Sequence, residues 1–438
     1  MERIQKLLRR VGLYAAGLGK WLLAAGLIGL GCGLVGAAFH IGVEWVTEYR
    51  LAHRWVLYLL PAAGLAVVAI YKLLRVEGKN TNHVLREVQS GEGLPLGLLP
   101  AIFFSTVLTH FAGGSAGREG AALQMGGTLG YSVGRLLRLR DKDLRLAALA
   151  GMAAFFTALF GTPMAATVFA VGVVSVGLFY HAALLPSLVA SLTAYGVSRL
   201  LGVEPTHFTV AAPALDALML LRVAGLAALC AWVSMAFCFG VHGAEHLCAK
   251  AVENPWLRAA LGGAALLGLT LAIGNTDYNG AGMGVIARAV EQGQAAAWAP
   301  LLKLLFTAVT LGVGFKGGEV VPSFFVGATF GCLVGPLLGI PAGFAAAVGL
   351  IAVFCGAVNA PVASVFLAVE LFGADGMLYF ALACAVCYVL SGYTGLYSSQ
   401  RILYDKLRAQ FIDVKTNAYA QGETTPAERA HPFKEAEK

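Results

Sequence analysis

Two ionisable residues stand where the chain is otherwise apolar or small. Arg118 and Glu119 lie inside Gly113-Gly-Ser-Ala-Gly117-Arg118-Glu119-Gly120-Ala-Ala-Leu-Gln-Met-Gly126, a glycine-studded stretch that continues to Gly134 between hydrophobic runs. Charged groups in such surroundings are expensive and mark ion paths or proton relays. The glycines before Glu119 suit a tight, non-helical approach. Ala121, Leu123, Met125 and Leu129 after it suit a membrane helix whose first turn holds the carboxylate. A helix start offers unpaired backbone N–H groups and a positive dipole end, where an anion can rest without a full positive charge beside it. The competing reading is an internal salt bridge between Glu119 and a nearby arginine. Arg118, next to the path, is assigned a structural role.

Such a stretch needs a membrane frame, and the composition supplies one. The chain has 438 residues, 58% hydrophobic and only 13% charged, with a mean hydropathy of +0.75. That balance excludes an ordinary soluble protein and indicates a polytopic membrane protein. About a dozen apolar segments follow one another, many long enough to cross a bilayer. The clearest lie near 21–43, 55–74, 95–112, 145–174, 178–202, 213–241, 256–274, 299–314, 322–340, 342–371 and 376–391. Several are broken by Gly and Pro, the mark of discontinuous helices that meet at a midplane site.

The net charge of +7 sits at segment ends and tracks topology, not a nucleic-acid partner. Lys6, Arg9, Arg10 and Lys20 precede the first apolar run, and further basic clusters occupy Arg135 to Arg145 and Arg401 to Arg408. By the positive-inside rule these predict cytoplasmic N- and C-termini. The helix from Glu119 toward Arg135 then starts deep in the membrane, leaving Glu119 on the outer side of the pathway. Residues 1–20 read as an amphipathic surface helix, 21–210 and 211–403 as two membrane repeats, and 404–438 as a short, mobile polar tail. The first apolar run lacks a small-residue cleavage site and is read as retained. The eight cysteines lie mostly in apolar runs and read as small core residues.

The two repeats can be seen by sliding the chain on itself. At a shift of about 202, Gly78, Arg86, Val88 and Gly91 fall on Gly280, Arg288, Val290 and Gly293. At about 201, Gly113, Gly117, Gly126, Gly130 and Gly134 fall on Gly314, Gly318, Gly327, Gly331 and Gly335. At about 198, Gly161-Thr-Pro163 falls on Asn359-Ala-Pro361. Three blocks in one order indicate a duplicated transporter or channel. An odd number of crossings per half makes the repeats inverted, but the sequence leaves that parity open.

These motifs resemble the CLC family of anion channels and proton-coupled anion antiporters over residues 20–405. Gly117-Arg118-Glu119-Gly120-Ala121 is similar to that family's GREGP-type motif, with Ala121 where proline is usual. Gly317-Gly318-Glu319-Val320-Val321-Pro322 is similar to its GxFxP-type motif, and Tyr397 resembles its central pore tyrosine. The resemblance implies an all-α fold of two repeats around a central anion site, a homodimer with one pathway per subunit, and no enzymatic activity, cofactor or metal.

Three departures point to one branch. Asn80 falls where the chloride-coordinating serine of the GSGIP motif should lie. Val173 falls where chloride/proton antiporters carry an inner glutamate, and no Asp or Glu occurs from Leu144 to Val203. Glu319 adds an acid beside the expected anion site. Together they resemble the fluoride/proton antiporters, whose usual Thr in the second motif is here Val321. The resemblance assigns proton transfer and gating to Glu119 and Glu319. It assigns the anion to Asn80, Gly117, Arg118, Gly120, Val320, Val321 and Tyr397. Fluoride is small and strongly hydrated, so its site needs several short donors, which backbone N–H groups, the Asn80 amide and the Tyr397 hydroxyl would supply. Ionised, Glu119 competes with the anion for the helix starts; protonated, it leaves and carries a proton.

Each residue also has a plainer reading: a structural helix-start carboxylate for Glu319, an N-cap for Asn80, an interfacial aromatic for Tyr397, and a helix-end anchor for Glu370. A chloride/proton antiporter or passive anion channel of the same fold is the nearest rival. An intramembrane metal hydrolase is a remote one, because His242-Gly-Ala-Glu245-His246 has an inverted zinc-protease spacing. The expected protein is a fluoride exporter of the bacterial inner membrane that moves fluoride against protons amid membrane lipid.

Overall fold

The structure, a computed structural model, describes residues 2–417. Among the described residues the helices fall into two sets of eight. The first set is α1 (Glu2–Ala52), α2 (Leu60–Leu73), α3 (Thr81–Ser90), α4 (Leu98–Ala112), α5 (Glu119–Leu136), α6 (Asp141–Phe160), α7 (Pro163–Gly172) and α8 (Leu184–Leu200). The second is α9 (Ala217–Ala251), α10 (Pro255–Ile273), α11 (Met283–Glu291), α12 (Ala299–Gly312), α13 (Val320–Val334), α14 (Ala342–Val358), α15 (Pro361–Phe372) and α16 (Met377–Leu390). Each expected repeat thus supplies one long helix, then a short α3- or α11-type helix, then the helices that meet at the centre. Seven helical stretches are long and apolar enough to cross a bilayer among the described residues, and this is a membrane protein.

Local chemistry explains where the helices break. The apolar segments 145–174 and 342–371 are each two helices. Gly161 (φ 69°) and Asn359 (φ 54°) take the left-handed conformation that ends α6 and α14, one that glycine and asparagine tolerate best. Two residues later Pro163 and Pro361 open α7 and α15, at the helix position where a missing N–H costs nothing. The repeat match of Gly161 with Asn359 therefore marks the same bend in both halves.

Close packing follows the matched glycines. A Cβ on Gly126 would lie 2.3 Å from the Gly151 carbonyl oxygen of α6, and one on Gly327 would lie 2.3 Å from the Gly349 oxygen of α14. The backbones of α5 and α6, and of α13 and α14, thus touch directly, as small residues allow in membrane helices. Both α6 and α14 are buried almost throughout, forming the two hearts of the molecule. Leu221, Trp232, Leu257 and Trp45 stand exposed on outer helices, where lipid covers such side chains.

Two expectations need correction. The segment 1–20 is not a separate surface helix: α1 runs unbroken for 51 residues, about 75 Å at 1.5 Å per residue, with nothing in its sequence to stop it. The fold also contains a small sheet in the order β1 (Ser175–Val176), β2 (Arg401–Tyr404), β3 (Phe411–Lys415). Its first pair is parallel and its second antiparallel. The polar tail expected from 404 therefore begins as a hairpin, clasped by Arg401 Nε to Asp413 Oδ1 at 2.7 Å; residues 418–438 lie outside the described residues. Polarity suggested mobility, but strand pairing satisfies the backbone groups of this segment. Lys20 meets Asp143 at 2.5 Å, and a cavity beside them is lined by Lys20, Arg138 and Arg140. These residues define the basic face of the protein.

Candidate anion and proton site

The two glycine-rich loops before α5 and α13 meet at the centre. Gly117 and Gly318, repeat counterparts, form an antiparallel bridge, with Gly117 N donating to Gly318 O at 2.7 Å and Gly318 N to Gly117 O at 2.6 Å. The bridge brings the helix starts of α5 and α13 together. Ser115, earlier in the first loop, is held from α12: its N–H donates to Thr310 Oγ1 at 2.9 Å and its hydroxyl meets Thr307 Oγ1 at 3.0 Å.

Glu119 is fully buried and bends back over this junction. Its Oε2 accepts the Arg118 N–H at 3.0 Å and the Val321 N–H at 3.1 Å, one donor from each helix start. The carboxylate thus occupies a seat made for an anion. Backbone approaches so closely at Gly318 that only glycine fits there, and Gly117 leaves room for the carboxylate. A Cβ on Gly117 would sit 2.2 Å from Oε2, and one on Gly318 would sit 2.7 Å from the Glu119 and Gly120 nitrogens. Its other oxygen, Oε1, is buried without a partner, and so is the hydroxyl of Tyr397. A buried donor without an acceptor is costly, and an anion beside Tyr397 would satisfy it.

Arg118 does not pair with Glu119; no ion pair of Glu119 with an arginine occurs among the described residues. Its Nη1 donates to His40 Nδ1 at 3.1 Å, and His40 Nε2 meets Glu44 Oε1 at 2.9 Å. A guanidinium only donates, so His40 accepts at Nδ1 and carries its proton on Nε2. Arg118, Glu44, His110 and Arg50 line a cavity of about 500 Å³ with Asp277 and Arg288, on the face away from the basic one.

Glu319 begins α13 as its N-cap residue but makes no capping bond, so its carboxylate is not spent on the helix. It is half-buried. The Val320 side chain is buried. Asn80 is the N-cap residue of α3, with an exposed side chain that makes no capping bond. Gly120 faces its neighbour: Thr81 Oγ1 lies 3.5 Å from Gly120 O and accepts Gln124 Nε2 at 3.1 Å.

Tyr397 is braced by the hairpin, whose Thr416 Oγ1 donates to the Tyr397 carbonyl at 2.7 Å. Gln400 Nε2 bonds the Val173 and Val358 carbonyls at 2.7 and 2.9 Å, tying both halves beneath the site. Val173, at the inner-glutamate position, is a buried apolar side chain. Glu370 does not anchor its own helix: it accepts the Met164 and Ala165 N–H groups, both at 2.9 Å, at the start of α7 in the other repeat. Thr81, His40 and Gln124 were missed from sequence, since only their long-range neighbours reveal them.

Comparison with known proteins agrees with this geometry. The family described as "Voltage gated chloride channel" matches residues 63–392. The chain is 36% identical over 400 residues to the chloride/fluoride channel protein of Pseudomonas syringae pv. tomato, covering 89% of this chain and 88% of that one. It is 26% identical to the H(+)/Cl(-) exchange transporter ClcA of Vibrio vulnificus, covering 91% and 93%. Among solved structures, a CLC-type fluoride/proton antiporter superposes with a TM-score of 0.84 at 32% identity, over 87% of this chain and 98% of that one. A slow cyanobacterial Cl-/H+ antiporter shares the fold at a TM-score of 0.73 and 19% identity, over 85% and 94%. With its paired helix starts, its seated carboxylate and its match across most of its length, the chain belongs to the voltage-gated chloride channel, or CLC, family.

Proposed function

We propose that this protein is a proton-coupled antiporter that exports fluoride from a bacterial cytoplasm in exchange for protons. The carrying observation is Glu119 Oε2 on the Arg118 and Val321 N–H groups, with the partnerless Tyr397 hydroxyl in the same core. An ionised carboxylate in an anion seat excludes the substrate anion. Protonated, it loses its claim on those donors, so one seat admits the anion or the ionised carboxylate but not both.

Fluoride as cargo is supported by Asn80 in place of the serine, by Glu319 in the second motif and by Val173 in place of the inner glutamate. The likeness to a fluoride/proton antiporter and to a chloride/fluoride channel protein supports it too. Orientation follows the charges, with the basic face toward the cytoplasm. The anion then leaves through the opposite cavity, past Arg118. Family resemblance adds a homodimer with one pathway per subunit.

The test is ion flux from liposomes holding the purified protein, comparing fluoride with chloride while recording pH. Uphill proton movement driven by a fluoride gradient, with weak chloride flux, is expected. Equal chloride flux would make it a chloride antiporter, and fluoride flux without proton movement would make it a passive channel.

A further inference from the structure

We infer that His40 is a positioning residue for the exchange: it holds the Arg118 guanidinium away from Glu119, so that the carboxylate stays free to leave the anion seat. The inference rests on the antiport reading and deepens it, since that reading needs a Glu119 that comes and goes.

Arg118 and Glu119 are neighbours in sequence, opposite in charge and both buried. Glu119 Oε1 is buried without a partner. A guanidinium beside a carboxylate with a free oxygen ordinarily closes a short, charge-assisted pair, and exclusion of water strengthens the attraction. That pair is not formed. Among the described residues the guanidinium has one hydrogen-bond acceptor, His40 Nδ1 at 3.1 Å.

Glu44 keeps His40 an acceptor. The two stand one turn apart on α1, with His40 Nε2 2.9 Å from Glu44 Oε1, at the i,i+4 spacing that puts both side chains on one face. The Glu44 carboxylate takes the hydrogen on Nε2, which leaves Nδ1 its lone pair for Arg118. The three form a chain that starts at an exposed carboxylate and ends beside the anion seat. Glu44 and Arg118, its two ends, line the same cavity of about 500 Å³.

The scaffold under His40 is stiff. The fully buried Phe39 beside it meets Phe103 of α4 at 5.4 Å and Phe155 of α6 at 6.4 Å between ring centroids. A Cβ on Gly33 would lie 2.7 Å from Val197 Cβ of α8. Packed against three helices, α1 holds its place, and His40 pins the guanidinium from outside the seat. Without that acceptor the guanidinium turns to the unpaired carboxylate oxygen beside it, Glu119 Oε1. The pair so formed favours the seated, ionised carboxylate over the anion. An anion that needs the empty seat then binds more weakly, in proportion to the fraction of seats left empty.

The experiment measures fluoride binding to the full-length protein by calorimetric titration, comparing His40→Leu with His40→Asn in the wild-type and in the Glu119→Gln background. Leucine keeps bulk and removes the acceptor; the asparagine carbonyl takes the place of Nδ1. We expect His40→Leu to weaken fluoride binding about tenfold or more, the scale of one hydrogen bond to a charged group. His40→Asn should restore most of that affinity. With Glu119→Gln there is no carboxylate charge for Arg118 to pair with, so the loss caused by His40→Leu should largely disappear. Unchanged affinity in His40→Leu would overturn the inference. So would equal loss in both backgrounds, or equal loss with leucine and asparagine, either of which marks a structural role. Wild-type protein that moves fluoride but no protons in liposomes would instead overturn the antiport reading beneath it.

Discussion

Replacing Glu119 by Gln keeps the side chain's shape and removes its charge, so its effect can be worked from the contacts. Oε2 accepts two backbone N–H groups, from Arg118 and Val321. A hydrogen bond to a charged acceptor is worth about 1.5–3 kcal/mol and a neutral one about 0.5–1.5. Neutralisation therefore weakens the side chain's hold by about 1 kcal/mol per bond, or about 2 kcal/mol in all. Since 1.4 kcal/mol is a factor of ten, an anion competing for the same donors should bind up to about 30-fold more tightly. The amide carries no exchangeable proton charge, so uphill proton transport should vanish while passive anion flux persists. Calorimetric titration with fluoride and liposome flux with pH recording measure the two effects. Wild-type proton pumping by Glu119→Gln, or an unchanged fluoride affinity, would refute the view that carboxylate and anion share one seat.

Four further outcomes are expected. Gly318→Ala places a methyl 2.7 Å from the Glu119 and Gly120 nitrogens. It should abolish transport and cost about 1–3 kcal/mol, the usual range for overpacking. Gly268→Ala, with open space around it, should leave thermal unfolding and flux unharmed. Glu370→Ala removes the acceptor for two N–H groups at the start of α7 and should cost about 0.5–2 kcal/mol, the range of a lost helix cap, seen as a lower unfolding midpoint. The Tyr393 hydroxyl, then the Leu407 N–H and, after them, the Arg408 N–H and charge, hold the Asp405 carboxyl below its ordinary value. A depressed carboxylate stabilises the fold fully above about pH 4, its unfolded value. That contribution is lost as pH falls through the lower folded value. Protection factors of amides 401–415, exchange rates taken relative to the intrinsic rate at each pH, should therefore be larger at pH 6 than near pH 3, and Asp405→Asn should remove that part of the difference.

Much of this protein was legible in its letters. The glycine pattern at 113–134 and 314–335 fixed the duplication, because backbone-to-backbone helix packing tolerates no other residue at Gly126 or Gly327. The same logic marked the Gly161 and Asn359 bends, and the cost of a carboxylate among apolar residues singled out Glu119. These are local rules, each satisfied within a few positions of sequence. The sequence left open which way the halves face; the antiparallel Gly117–Gly318 bridge, consistent with an inverted repeat, joins residues 201 positions apart. Only the folded chain decided that Arg118 turns to His40, that Glu370 caps the opposite repeat, and that Thr81 stands beside Gly120. None of these contacts leaves a period or spacing in the sequence. Each exists because two helices from distant parts of the chain share one narrow interior, and hydrogen-bond partners there are chosen by proximity in space.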